Sequence, residues 1–139
     1  MAELDGYQVP DDLYYHKEHM WLRVEDNIGI VGITDFSQKL AGEISYIELP
    51  GEDEEVSRDQ IVGTIETGKW MGKIFAPVSG KVIAINEDVE DSPEKINESP
   101  YVDGWLFKIE MSKPSEIETL YKGSAALEWL KGEIEKHAK

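Results

Sequence analysis

Short apolar segments separated by turn residues recur along most of this 139-residue chain. Residues 20–24 and 28–33 are alternating or continuous apolar runs on either side of a polar stretch, a pattern typical of a β-hairpin. Further short strand patterns begin at residues 44, 56, 61, 74, 82 and 105. Strands this short, with turns at this spacing, favour a sandwich or a barrel. The chain is therefore predicted to be mainly β.

Helix signals are fewer and lie between or after the strand patterns. Residues 35–41 follow a threonine that can cap a helix, and they end before a glycine. Ser92 and Pro93 predict a serine cap with proline in the first helical position, and thus one or two helical turns over residues 91–97. Residues 124–136 place apolar side chains on one face, which indicates a C-terminal amphipathic helix.

A faint internal repeat accompanies the strand pattern. Residues 42–47 and 80–85 share the order glycine, charged residue, β-branched residue, two variable residues and isoleucine. A duplicated half-motif of this kind would contribute one part to each of two sheets. Chance is the alternative, because a glycine followed by a charge and an apolar residue commonly opens a strand.

The charge balance limits the partners that the chain can have. The chain contains 14 Lys and Arg residues and 29 Asp and Glu residues, which gives a formal net charge of −15. Such a surface repels nucleic acid and anionic membranes, so neither is expected as a partner. It suits transient docking on basic patches of larger proteins, and that docking should weaken with salt.

Length and the N-terminal composition give the expected organisation and location. We expect a polar N-terminal lead over residues 1–12 and a single domain over residues 13–139. The chain contains no cysteine, which excludes disulfides and thiolate chemistry. The acidic N-terminus lacks the features of a secretory signal, and no apolar run approaches the roughly 20 residues that span a bilayer. A cytoplasmic protein is the resulting prediction. Separately, a monomer is expected, although none of these features determines the oligomeric state.

One turn between two strand patterns presents a lysine. In the segment over residues 66–72, Gly68 is expected to give the turn the backbone freedom that it needs. Lys69 would then stand at an exposed hairpin tip, within reach of a modifying enzyme. The plainer interpretation is a solvated turn residue, since the chain has 12 lysines.

Six blocks spread over nearly the whole chain carry a further signal: residues 16–21, 31–36, 46–50, 66–72, 76–82 and 103–106. Together they resemble the H-protein family of lipoyl carriers. They fall in that family's order and at its spacing. Several blocks that match in register are more specific than any one short motif.

The resemblance implies a barrel-sandwich hybrid of two antiparallel sheets, with short helices and a C-terminal amphipathic helix. It also implies a non-catalytic carrier with lipoate amide-linked to Lys69 by a lipoate ligase or a lipoyl transferase. Glu66 and Gly80 match positions that help such an enzyme recognise the site; the ordinary alternatives are an edge-strand charge and a turn glycine. Biotin is a weaker interpretation, because biotinyl carriers flank the lysine with methionines and this chain has Gly68 and Trp70 there.

The sequence departs from the family around the expected arm. The family usually has acids at the positions of Met20 and Lys73, and small aliphatic residues where Gly68 and Trp70 flank the lysine. In the glycine cleavage system the H protein carries a cationic aminomethyl group, which Lys73 would repel. Lys73, Met20 and Trp70 instead suit an anionic or sulfur-containing cargo. In this respect the chain resembles the lipoate-binding proteins of the sulfur-oxidising heterodisulfide-reductase-like pathway.

Each interpretation of the cargo implies its own partners. The sulfur interpretation implies a heterodisulfide-reductase-like complex and lipoamide dehydrogenase. The alternative is an H protein of the glycine cleavage system that serves glycine decarboxylase and aminomethyltransferase, with Glu18 or Glu43 supplying the missing acid. A third interpretation is an interaction module that has kept the fold without the modification.

The remaining residue clusters indicate no further chemistry. His16 and His19 are three residues apart, but the segment is expected to enter a strand rather than form a helix, so no metal site is predicted. No catalytic triad or phosphate-binding glycine loop can be assembled, and no catalytic residue is predicted. Trp21 and Trp105 are expected to be core anchors.

Overall fold

The computed structural model describes residues 2–137, and strands dominate it. Six antiparallel strands form the larger sheet. In spatial order they are β3 (Tyr14–Tyr15), β4 (Met20–Glu25), β5 (Ile28–Ile33), β11 (Phe107–Met111), β10 (Gly80–Ile85) and β7 (Glu55–Val56). The hairpin predicted within residues 20–33 is confirmed, because β4 and β5 pair directly.

A smaller sheet of three antiparallel strands packs against the larger one. Its strands are β6 (Ile44–Glu48), β8 (Ile61–Thr67) and β9 (Met71–Phe75), with β8 in the centre. Both sheets contribute apolar side chains to one buried core, among them Val31, Ile65, Ile74 and Ile109. Two antiparallel sheets around a shared core confirm the mainly β prediction. The two segments of the internal repeat contribute to different sheets, one through β6 and the other through β10.

The polar lead has a structure that the sequence analysis did not predict. Strands β1 (Ala2–Leu4) and β2 (Tyr7–Val9) form a separate two-stranded sheet. The hydroxyl of Tyr101 donates to the Gln8 carbonyl at 2.7 Å, and the Gln8 amide donates to a carboxylate oxygen of Asp35 at 2.9 Å. These bonds fasten the lead to the main body, while the predicted domain division stays a prediction.

Helices surround the sheets. Within the described residues they are α1 (Asp35–Ala41), α2 (Glu87–Asp91), α3 (Glu94–Glu98), α4 (Ser124–His137) and a 3₁₀ helix (Pro114–Thr119). Thr34 caps α1 as predicted, since its hydroxyl accepts from the Ser37 amide at 3.1 Å. The C-terminal amphipathic helix is also confirmed, because α4 buries Ala126 and Leu130 in a second apolar cluster that includes Trp21 and Phe36. No helix in the described part of the chain is long and apolar enough to cross a membrane.

The helix predicted after Ser92 begins differently. Ser92 follows α2, where its amide donates to the Asp88 carbonyl at 2.8 Å. Pro93 precedes α3 instead of occupying its first position, and no side chain caps that helix. The predicted serine cap is therefore wrong. The capping side chain in this region is Asn86, whose oxygen accepts from the Asp88 amide at 3.2 Å and starts the unpredicted α2.

The two tryptophans expected in the core have different positions. Trp21 is fully buried, and its indole N–H donates to the Pro100 carbonyl at 2.9 Å. Trp105 precedes β11, which begins two residues later than predicted, and it is only partly buried. The ammonium of Lys108 lies 5.1 Å from its ring centroid. Trp21 is therefore a core anchor, whereas Trp105 packs at the core's margin.

Candidate functional site

A tight turn connects the end of β8 to the start of β9, and Gly68 and Lys69 form the loop of this hairpin. The Thr67 amide donates to the Trp70 carbonyl at 2.8 Å, which closes the loop. The Thr67 hydroxyl accepts from the amides of Trp70 at 3.1 Å and of Lys69 at 3.3 Å. Lys69 is exposed at the tip. Thr67 thus holds the backbone of the tip lysine, and a threonine opening a short turn was a signal that the sequence analysis missed.

Gly68 does not have the role that the sequence analysis gave it. Its φ angle lies outside the left-handed region, and a Cβ added there would meet no atom within 4 Å. The turn therefore does not require glycine at this position, and the predicted need for backbone freedom is wrong. The hydrogen bonds to the Thr67 hydroxyl stabilise the turn instead.

A pocket of about 610 Å³ lies beside the hairpin tip. This volume is in the usual range for small-molecule sites, roughly 300–1,000 Å³. The hairpin, the start of β4, the end of β5, α1 and the last turns of α4 form its walls. The lining residues are Glu18, His19, Met20, Ile33, Ser37, Leu40, Ala41, Ile65, Lys69, Trp70, Lys73, Phe75, Glu133 and Lys136.

Most of the residues predicted to surround the arm come together at this pocket. Those that line it are Lys69, Trp70, Lys73 and Met20. Gly68 does not line it. Of the two acids considered as replacements for the family's carboxylates, Glu18 lines the pocket and Glu43 does not. The residues that suggested a sulfur cargo and one that suits an amine therefore share the same site.

The C-terminal helix adds charged groups that the sequence analysis missed. Glu133 and Lys136 of α4 line the pocket. A carboxylate oxygen of Glu133 lies 2.8 Å from Nε2 of His19, and the Glu133 side chain is only 20% exposed. With Glu18 and Lys73, the pocket has two carboxylates and two ammonium groups in addition to the tip lysine. No local pattern could have found Glu133, because it is 114 residues from its partner His19.

The two residues predicted to help enzymatic recognition lie outside the pocket. Glu66 pairs with Tyr46 on β6 and with Met71 on β9, so it stands in a row with two exposed apolar side chains. Gly80 lies between β11 and β7, and a Cβ there would be 2.1 Å from the Glu110 carbonyl oxygen. Close strand packing is by itself sufficient to require glycine at this position. A part in recognition stays a prediction for both residues.

His16 and His19 have separate carboxylate partners. Both lie in the turn between β3 and β4, where the sequence predicted a strand entry. Nε2 of His16 is 2.5 Å from Oδ1 of Asp59, whereas His19 contacts Glu133 at the pocket. Within residues 2–137, no group of three or more His, Cys, Asp or Glu side chains is arranged to hold a metal ion.

The Asp59 carboxylate gives the fold a pH dependence. The hydrogen bond from His16 lowers the Asp59 pKa below its usual 3.8, burial opposes this shift, and the charges of His16, Lys17 and Arg58 support it. A carboxylate with a lowered pKa stabilises the fold above the unfolded value and loses that contribution as the pH falls through the folded value. Asp59→Asn should therefore lower the free energy of unfolding near neutral pH, by under about 1 kcal/mol because the side chain is 44% exposed.

Urea unfolding near neutral pH and at about pH 3 tests this expectation. The deficit of the Asp59→Asn variant should shrink at the lower pH, which lies below the unfolded pKa of 3.8, because the unfolded wild-type chain then binds a proton at this carboxyl group. Asp91→Asn, which removes an exposed carboxylate at the end of α2, is the matched control and should show no such change. An Asp59→Asn deficit of equal size at both pH values would contradict the assignment.

Comparisons of sequence and structure agree with one another. The sequence matches the family profile described as glycine cleavage H-protein over residues 13–133. It is 49% identical over 112 residues to the glycine cleavage system H protein of Carboxydothermus hydrogenoformans, covering 81% of this chain and 86% of that protein. It is 44% identical over 112 residues to the glycine cleavage system H protein of Staphylococcus epidermidis, covering 81% of this chain and 89% of that protein.

A solved structure gives the same result for the fold. A glycine cleavage system H protein from Mycobacterium marinum superposes with a TM-score of 0.73 and 29% sequence identity, covering 75% of this chain and 87% of that one. The predicted barrel-sandwich hybrid with short helices and a C-terminal helix is thereby confirmed.

Proposed function

This chain belongs to the glycine cleavage H-protein family, and from that premise we propose that Lys69 carries its lipoyl group and that the arm transports an aminomethyl group. Members of this family bear lipoate covalently on a lysine and serve partner enzymes without being catalysts themselves. The bound lipoyl group supplies a dithiolane whose sulfur takes up and releases the transported group. Every catalytic step is left to the partners.

One observation carries the assignment to Lys69. The lysine is exposed at a hairpin tip that Thr67 holds, and the same lysine lines a pocket of about 610 Å³. An attachment site must be open to the modifying enzyme, and a loaded arm needs a nearby shelter from water. Lys69 meets both requirements. Lys73 also lines the pocket, but it lies within β9 rather than in the loop.

The charges of the pocket support an amine as cargo. Met20 and Lys73 replace the family's usual acids, and both residues line the pocket, although the Met20 side chain is buried. Glu18 and Glu133 line it as well. A carboxylate within about 4–6 Å of a cation stabilises its charged form. Glu18, in the turn between β3 and β4, and Glu133, in α4, therefore supply carboxylates that positions 20 and 73 of this chain lack.

The proposed partners are those of glycine cleavage H proteins: a lipoate ligase, glycine decarboxylase, aminomethyltransferase and lipoamide dehydrogenase. The net charge of −15 suits brief docking on basic surfaces of several enzymes in turn. Nothing in the comparisons supports a heterodisulfide-reductase-like partner.

A sulfur-containing cargo is the second candidate, and a specific observation favours it. Lys73 and Lys136 line the pocket together with Trp70, which gives it two cations and a polarizable wall, whereas Met20 lies behind this surface in the buried core. An anionic adduct on the arm would be attracted to these ammonium groups. The pocket thus has charges of both signs, and a loading experiment must decide between the two cargoes.

The decisive experiment offers the lipoylated protein to glycine decarboxylase with glycine and follows the added aminomethyl mass. We expect efficient loading, and the loaded form of Glu133→Gln or Glu18→Gln should be lost roughly two- to fivefold faster, the effect of one partly exposed charge. Glu43→Gln removes the same charge outside the pocket and should behave as wild type. Lys73→Gln should slow the loss.

Two outcomes would contradict the proposal. Lipoylated protein that glycine decarboxylase does not load, but that a heterodisulfide-reductase-like complex loads with a sulfur species, would make the second candidate correct. Wild-type protein that gains no lipoyl mass in the presence of a lipoate ligase would leave the interaction module without modification as the remaining interpretation.

A further inference from the structure

The indole of Trp70 is folded back over Gly72, two residues further along the hairpin. A Cβ built on Gly72 would lie 2.0 Å from Cη2 of Trp70 and 2.5 Å from Cζ2. These distances are far below van der Waals contact, so the six-membered ring occupies the space that a side chain at position 72 would need. The indole therefore packs directly on the backbone of Gly72, where no side chain intervenes.

Core packing does not explain this arrangement. Trp70 is 49% exposed, and it belongs to neither of the two buried apolar clusters. Its side chain lines the pocket instead, directly next to Lys69 in sequence. The Trp70 ring is thus a large aromatic surface outside the core, packed on the Gly72 backbone and lining the pocket. It is available for contact with a ligand.

We propose that the sulfur end of the lipoyl arm packs against the indole of Trp70, itself packed on Gly72, when the arm folds from Lys69 into the pocket. The proposal rests on the proposed function, because it requires the arm on Lys69. The dithiolane is apolar and polarizable, and sulfur packs favourably against aromatic rings. Trp70 is in this sense a positioning residue that shields the reactive sulfurs between visits to partner enzymes.

The hairpin contains its own matched control. Gly68 directly precedes Lys69 in the loop, and Gly72 follows in β9. A Cβ at Gly68 would meet nothing within 4 Å, whereas one at Gly72 would collide with the indole. Gly68 does not line the pocket. The same glycine-to-alanine change should therefore displace Trp70 at one position and leave it in place at the other.

The test measures how fast iodoacetamide alkylates the reduced arm in wild-type protein and in the variants Trp70→Ala, Gly72→Ala and Gly68→Ala. Intact mass first establishes that each protein is lipoylated, and then times the added alkyl groups. Trp70→Ala and Gly72→Ala should react roughly two- to tenfold faster than wild type, the range of one sulfur–aromatic contact. Gly68→Ala should match wild type.

A second readout does not depend on the fold of the Gly72 variant. A disulfide quenches the fluorescence of a tryptophan that it touches, so oxidised lipoylated protein should be dimmer than unmodified protein. Replacing Trp70 by phenylalanine should abolish this difference, because the three other tryptophans lie outside the pocket lining. Lipoylated variants with equal alkylation rates and undiminished quenching in Trp70→Phe would overturn the role of Trp70. Wild-type protein without a lipoyl increment would instead overturn the assignment to Lys69, and the proposal with it.

Discussion

A Lys69→Arg variant is expected to carry no lipoyl group at all, and to lose every carrier activity of the protein. Arginine keeps the positive charge and a long stem, but its guanidinium stays protonated and cannot form the amide that attachment requires. The fold should be unchanged, because Lys69 is exposed in the hairpin loop. Intact mass after co-expression with a lipoate ligase measures the effect directly.

Lys73→Arg is the matched control for this prediction. Lys73 belongs to the same hairpin and lines the same pocket, but it lies within β9 instead of the loop. This variant should gain the full lipoyl increment. Retention of the increment in Lys69→Arg, or its loss in Lys73→Arg, would show that the attachment lysine has been wrongly assigned.

The second large effect is expected at Gly80. Replacing it by alanine should lower the free energy of unfolding by about 2–3 kcal/mol, the usual result of forcing an extra group into closely packed structure. The added Cβ would lie 2.1 Å from the Glu110 carbonyl oxygen and 2.6 Å from Cγ2 of Ile109. Strand β10 pairs with β11 on one side and with β7 on the other. The collision can therefore be removed only if the backbone of these strands moves. Urea unfolding measures the change.

Gly80→Ala also separates two explanations for this glycine. If close strand packing is the reason, stability falls, whereas Gly68→Ala, with open space around its Cβ, stays within about 0.5 kcal/mol of wild type. If Gly80→Ala instead remains stable and fails only to become lipoylated, the packing explanation is contradicted. The recognition role implied by the family resemblance would then be the correct one.

Local signals predicted much of the fold because they act over a few residues. The alternation in residues 20–24 and 28–33 sufficed for the central hairpin, and the threonine before residue 35 correctly marked the start of α1. The same kind of signal failed at Ser92, because Asn86 had already started a helix that ends there. A capping residue in a sequence does not reveal which of two adjacent short helices it serves.

The candidate site was predictable in part for a related reason. Lys69, Trp70, Lys73 and Met20 were found from sequence, because three of them share one hairpin and the fourth occupies a recognisable family position. Glu133 could not be found, since only the folding of α4 onto the sheets brings it to His19. The prediction of a cargo other than an amine was based on Met20, Trp70 and Lys73, and Glu133 adds to the same pocket a carboxylate that the sequence could not place there.

The helix α4 that closes the pocket is also the last element of the described chain to be synthesised. The strands of the smaller sheet, β6, β8 and β9, lie close together in the sequence and leave the ribosome long before it. Lys69 and its hairpin are thus synthesised well before the Glu133 side of the pocket, which α4 supplies only when it packs back against the rest of the chain. Under the proposed function, the attachment site and the shelter for the cargo therefore come from segments that lie far apart in the sequence.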